Sequence, residues 1–415
     1  MQESKVSIPS IKIVASENRV TDISKIFKSL NIKESISTTT INGFITIEDD
    51  INLYESLPIL GQEWISIEFE MGGIATIINA FVYKVSNFNK INTRRTEYTL
   101  HFCSYEFYVN LNKRVRRSFK STQVADIISE VLTKDLKTTK RITIESTLGD
   151  ITYVAPNINP FLLIKELLKK SVTKNNGGGY IFYENRFGYI VAALSSIISQ
   201  PSAFIYKYGD DFTDDADSDA NPNYFTIEEF SVGNYTDTIK QVTRGMFSSQ
   251  LHTIDLISRD IQTYNHNYYN EYDKVRHLNS SGFYKELGDI SDPKKGNQFF
   301  NYIDNGMVDN NQTNTYVDTN DPNRSIDHSS LTRLQNILHI DMMNSYVYKF
   351  SIPGNIALVA GSIIDVQISS FQRKELDIIL SGKVLITSVT HVISGNGTYK
   401  QSIETAKDSF ITGDA

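Results

Sequence analysis

The chain has 415 residues, 40% of them hydrophobic and 21% charged, enough for about two to four domains with cores that need no covalent staples. Its 48 acidic and 41 basic residues leave a formal charge of −7, which argues against a dedicated nucleic-acid binder. A lone cysteine, Cys103, excludes a disulfide scaffold and any zinc site built on paired cysteines within the chain.

The N-terminus MQESKVSIPS lacks a signal-peptide core, and no stretch approaches the roughly 18 apolar residues of a membrane helix, so membrane insertion is not expected. The first hundred residues alternate with a period of two: Ile11, Ile13 and Ala15; Leu30, Ile32 and Ile36; Ile45 and Ile47; Ile65, Ile67 and Phe69; Tyr98, Leu100 and Phe102. Short alternating runs between turn signals predict an antiparallel barrel or sandwich over 1–115.

The period then lengthens. Thr122 is a candidate cap for a helix carrying Val124, Ile127, Ile128, Val131 and Leu132. A second helix has Asn159 at its cap, Pro160 at its first position, Phe161, Ile164, Leu167 and Leu168 as its stripe, and Lys169 and Lys170 in its last turn. The run YIFYENRFGYIVAAL reads as a hairpin turning at Asn185 to Gly188. Together these predict a small mixed domain over 116–208. Residues 209–223 read as an acidic loop. Residues 255–339 are expected to form a loop-rich inserted domain, closing with a helix on Leu331, Leu334, Ile337 and Leu338. A second strand-rich domain is expected from 209–254 together with 340–410, followed by a short tail over 411–415.

The two strand-rich ends share an outline. Gly61 precedes Ile65, Ile67 and Phe69; Gly361 precedes Ile364, Val366 and Ile368; a long Val/Ile strand and a strand opening at Tyr98 or Tyr399 follow. These residues alone leave an internal duplication open, because any two antiparallel sheets share such a pattern.

Catalytic signatures are missing: no HExxH, GxSxG, Walker A or GxGxxG motif before a helix. NNGGGY (175–180) follows a helix rather than preceding one, and reads as a connector. His391 lies mid-strand without a nucleophile and carboxylate set, and reads as a packed structural histidine. Tyr264, His266, Tyr268, Tyr269 and Tyr272 could stack on sugars or bases, but without alternating Arg and Lys they read as interface or loop packing. Asp217, Asp219, Asn221 and Glu228 match positions 1, 3, 5 and 12 of a calcium loop, yet Pro222 stands where that loop needs glycine, which favours a solvated acidic loop. The basic run Lys113 to Phe119 reads as a solvated strand or interdomain contact. No catalytic, cofactor-binding or metal-binding residue is assigned, and no enzyme activity is expected.

Three segments carry a family resemblance. Tyr153–Ser171 with Gly177–Leu194, Pro353–Ser370 with Ser381–Ser409, and Ile41–Phe69 together resemble the central baseplate hub of T4-type contractile-tailed bacteriophages; the closing strands are also similar to type VI secretion spike proteins. The resemblance covers about 1–210 and 340–410. It implies a β-rich α+β fold with two similar antiparallel β-barrel tube domains and two smaller peripheral mixed domains. It further implies a homotrimer in the virion tail, assembled in the host bacterial cytoplasm. Six barrels would form a pseudo-sixfold ring joining the sixfold tail tube to the threefold cell-puncturing spike, with neighbouring baseplate proteins outside and DNA passing through the channel. Rival readings are the hub of a type VI-like or phage-derived injection machine, and a glycan-binding or glycan-cleaving tail protein.

Overall fold

A computed structural model describes residues 5–14, 19–57, 59–92, 94–169, 171, 173, 179–209, 224–235, 237–255, 259–274, 276–282, 288–303, 316–318, 321–326, 346–370 and 376–411. The alternating residues behave as a half-buried sheet requires. Ile11, Ile13, Leu30, Ile32, Ile45, Ile47, Ile65, Ile67, Phe69, Tyr98, Leu100 and Phe102 are all at most 1% exposed and share one core. Each such aliphatic side chain contributes roughly 1.5–3 kcal/mol by leaving water.

The front module contains seven strands: Ser7–Val14, Val20–Asp22, Phe27–Ser35, Asn42–Asp49, Trp64–Met71, Ile74–Lys90 and Thr96–Cys103. The rear module also has seven: Ile205–Tyr208, Tyr224–Thr226, Glu229–Tyr235, Tyr346–Pro353, Ile363–Ile368, Gly382–Ser394 and Tyr399–Lys407. Within each module the spatial neighbours are the same when strands are numbered in chain order: second, first, fifth, sixth, seventh, fourth, third. One row across the front module runs Val85, Leu100, Ile45, Leu30. The matching row in the rear module runs Val389, Ile403, Phe350, Phe230. Gly61 and Gly361 precede the fifth strands with φ of 85° and 88°, a left-handed conformation that glycine adopts without strain.

The modules are not two separate antiparallel barrels. Strand Gly382–Ser394 outruns its neighbour Ile363–Ile368, and strand Phe27–Ser35 pairs with the surplus, so all fourteen strands form one sheet. The sheet is mixed, because Ile205–Tyr208 enters from the end that makes it parallel to both Ile363–Ile368 and Tyr224–Thr226. The end strands of each module are consecutive in the chain, joined by corners at 23–26 and 227–228, with no ladder between them.

Residues 105–198 form the mixed unit. Its core joins Val124, Ile127, Ile128, Val131, Leu132, Phe161, Leu163, Ile164, Leu167 and Tyr189. Thr122 does not cap the helix Val124–Glu130; it lies in strand Ser118–Gln123, and Gln123 occupies the cap position. Pro160 opens the helix Pro160–Leu168 as expected, but the Asn159 side chain makes no cap bond. The Asn110 side chain accepts from Phe161 N–H instead, at 2.8 Å, while Asn159 Nδ2 donates back to the Asn110 carbonyl. Lys169 is the C-cap and pairs with Glu166; Lys170 lies outside the described residues. The hairpin turns at Asn185 to Gly188, where an added methyl at Gly188 would collide with the Arg141 carbonyl.

Between the third and fourth rear strands the chain makes an excursion that the front module replaces with a short turn. There, Ser248–Asp255 leaves the large sheet and pairs with Asp260–Asn267 and Asn297–Ile303. The segment expected to be a helix at 331–338 lies outside the described residues.

Candidate functional site: joints and an open sheet face

Buried polar groups collect at the joints between units. At the module seam, Glu34, His391, Tyr399 and Gln401 are each at most 1% exposed. Gln401 Nε2 donates toward His391 Nδ1 at 3.3 Å and Tyr399 Oη lies 2.7 Å from the same nitrogen. That network leaves His391 Nε2 facing Glu34 Oε1 at 3.6 Å. Glu34 also accepts from the backbone N–H of Arg186 and of Ala360, so one carboxylate ties the front module to the hairpin tip and the rear module. Burial pulls the Arg186 guanidinium below its ordinary pKa, against the pull of Glu34.

A second joint fastens the mixed unit to the front module. Glu184 accepts from Ser104 Oγ at 2.6 Å, from Ile41 N–H, and from Lys140 Nζ at 2.7 Å; Lys140 also reaches Glu106 at 2.8 Å. Burial raises the Glu184 pKa, opposed by Lys140; burial works against the Lys140 charge, but Glu184 and Glu106 raise its pKa overall. Paired and hydrogen-bonded, these charges satisfy one another away from water.

A third joint latches the excursion to the rear module. His277 Nδ1 contacts Asp408 at 2.9 Å and stacks on Tyr272 with ring centroids 3.7 Å apart; Asp408 accepts from Leu278 N–H, and Asn279 bonds both Lys383 and Ser409. Burial depresses the His277 pKa, but the Asp408 bond and charge carry it above the ordinary value. Nearby, Lys407 is fully buried and donates to the Ile379 and Ser381 carbonyls; burial lowers its pKa to about 8 against the pull of Asp377, Asp408 and Asp365.

The outer face of the fourteen-stranded sheet is a different kind of surface. Ser351, Ser402 and Thr390 in the rear module and Asn31, Thr46 and Ser66 in the front are all at least partly exposed. Four ion pairs lie across it: Lys400 with Glu228 and Lys28 with Glu97 at 2.7 Å, Lys349 with Glu404 and Arg95 with Glu48 at 2.9 Å. The result is a broad wall of hydroxyls and ion pairs on which Phe44 and Trp64 are also exposed.

The residues singled out in the sequence fall on these features unevenly. His391 sits in the seam. Tyr268 is 2% exposed and packs on Phe247, Tyr269 and Tyr272, while His266 is buried beside the Met246 carbonyl, so the centre of the tyrosine cluster is packed inside the excursion, with Tyr264, Tyr269 and Tyr272 partly exposed. In the basic run, Arg117 pairs with Asp135 at 2.7 Å and Glu130 at 3.3 Å and covers the Phe119 ring. Glu228 is held by Lys400; Asp217, Asp219 and Asn221 lie outside the described residues, as do 175–178 of the glycine-rich segment. Among the described residues no group of three or more His, Cys, Asp or Glu could hold a metal, and no helix is long and apolar enough to cross a membrane. Sequence reasoning missed Glu34, Glu184 and Asp408; each is a lone acid in an apolar-patterned strand or at its end, and that misplaced charge was the available signal.

No family model matches the chain. It is 21% identical to the protein named "Probable baseplate hub protein gp334" of Vibrio phage KVP40, over 98% of this chain and 94% of that one. Among solved structures it is similar to the tail protein from Neisseria meningitidis MC58, with a TM-score of 0.57 and 9% identity over 96% of each chain. It is also similar to the 43 kDa tail protein of prophage MuSo2 from Shewanella oneidensis, with a TM-score of 0.55 and 12% identity over 97% of this chain and 99% of that one. At these identities the structural likeness speaks for the fold. The chain thus has the fold of phage tail proteins and resembles, almost end to end, a phage baseplate hub protein.

Proposed function

We propose that this protein is the central hub of a contractile-tail baseplate, a non-enzymatic homotrimer that joins a sixfold tail tube to a threefold spike. The observation that carries the reading is the repeat of one seven-strand arrangement within a single chain. A threefold assembly of such chains offers six near-equivalent modules, so a hexagonal partner meets six similar surfaces while a trigonal partner still meets three. The modules play the part of the two tube barrels, and the mixed unit and the excursion lie at the periphery. The hydroxyl-rich face suits the wall of a passage for DNA: it offers a polyanion neither a basic binding surface nor a strongly repelling one. In this reading the hub assembles in the host cytoplasm, contacts spike, tube and neighbouring baseplate proteins, and ends in the virion tail. Burial of Tyr268 and His266 at the centre of the tyrosine cluster speaks against the glycan-binding alternative.

Size-exclusion chromatography with light scattering, followed by negative-stain imaging of the full chain, tests this. Three copies in a ring with an open centre and six lobes are expected. A species that remains monomeric or dimeric at every concentration overturns the reading.

A further inference from the structure

The internal joint between modules predicts the joint between molecules. In the rear module, the sixth strand Gly382–Ser394 uses one edge twice: 382–385 pair with Ile363–Val366, and 388–394 pair with Ser29–Ser35 of the front module's third strand. The equivalent front strand, Ile74–Lys90, pairs with Trp64–Met71 over 74–81. Beyond Phe81 that edge carries one further backbone bond, Val82 N–H to Glu63, and no strand among the described residues. The equivalent of Ser29–Ser35 is the rear module's third strand, Glu229–Tyr235. It pairs with Tyr346–Pro353 on one edge and with no strand on the other among the described residues.

Burial shows that both positions lack what their counterparts have. Residues 389–394 alternate between buried and half-buried, whereas Asn87 to Lys90 are all exposed. Ile32 and His391 face each other in the seam at 0% and 1% exposure. Leu30 corresponds to Phe230 by the shared row, so Ile32 corresponds to Val232, which is 39% exposed. His391 corresponds to the Phe88 region, where Phe88 is 43% exposed. Leu60, Tyr83 and Ile91 add exposed apolar surface beside the free edge, and the charges are complementary, with Lys84 and Lys90 on one strand and Glu229 on the other.

We propose that strand Glu229–Tyr235 of one copy pairs antiparallel with the 84–90 segment of a second copy, placing Val232 against Phe88. This repeats between molecules the contact made within each, carries the sheet from chain to chain, and covers the free edges of Glu229–Tyr235 and of residues 84–90. The proposal rests on the trimeric hub reading and adds the surface that builds the trimer.

The test is a Val232→Cys, Phe88→Cys double variant of the full chain oxidised under native conditions; native Cys103 is 6% exposed. Facing positions on paired antiparallel strands lie within disulfide reach. Covalent trimers are expected from the double variant, no cross-link from either single variant, and nothing beyond covalent dimers when the two single variants are mixed. Trimers by light scattering that do not cross-link, or single variants that link as readily, overturn the strand assignment and leave the trimeric hub standing. A chain that is monomeric throughout overturns both. Val232→Lys, at an exposed position, is expected to keep its circular dichroism and lose self-association; unchanged association counts against the interface.

Discussion

His277 holds the excursion against the rear module, and its charge sets how firmly. Its folded-state pKa lies above the ordinary value of 6.5, because the Asp408 carboxylate outweighs burial. The folded state therefore binds a proton more tightly than the unfolded chain. The stabilisation is fully present below the unfolded pKa and is lost as pH rises through the raised folded value. Limited proteolysis of residues 237–303 is accordingly expected to accelerate as pH climbs through that window, with Asp408→Asn abolishing the dependence. A wild-type latch equally protected on both sides of the window would refute the assignment. The histidine was visible in the sequence. Its partner was not: a charge at the end of an apolar-patterned strand marks Asp408 as unusual, but with 131 residues between them nothing links it to His277.

Among the elements, period-two strands were the most legible, because alternation is a property of neighbouring residues and needs no knowledge of partners. Ile65, Ile67 and Phe69 face inward as their spacing required. Helix ends were less legible. The Pro160 helix was placed correctly, yet its cap comes from Asn110 across 51 residues, and Thr122 was drawn into a strand. Glycine positions carry a sharper consequence. Gly361 has φ of 88°, and a methyl there would strike the Tyr183 hydroxyl of the mixed unit. Gly72 has φ of 60° with open space around it. Both alanine variants meet a left-handed backbone cost of about 1–2 kcal/mol. Gly361→Ala is expected to lose about 1–3 kcal/mol more from overpacking, so its thermal midpoint should fall well below that of Gly72→Ala. Equal midpoints would show that the loop before the fifth strand yields freely.

For the whole molecule, what matters is that one sheet spans both modules and presents a face crossed by ion pairs. If that face is a passage wall, the wild-type chain should not retard duplex DNA in a gel at about 0.15 M salt. A Glu48→Lys, Glu97→Lys, Glu228→Lys, Glu404→Lys variant should retard it, because four reversals turn paired charges into a basic track. Binding by the wild type would remove the passage argument from this face.

By itself the sequence determined the alternating strands of the two ends, the Pro160 helix and the 185–188 hairpin turn, and that no familiar catalytic signature is present; it left a duplication open and read Asp260–Asn267 and Asn297–Ile303 as loop. These are matters of local period, turn chemistry and residue type. Tertiary structure alone decided that the two ends share a strand order, that they fuse through Phe27–Ser35 and Gly382–Ser394, and that Glu34, Glu184 and Asp408 are the fastenings. A backbone N–H pairs with any carbonyl, so ladder partners are chosen by which edges the folded chain leaves open. A buried carboxylate finds its donors only after distant segments have packed around it.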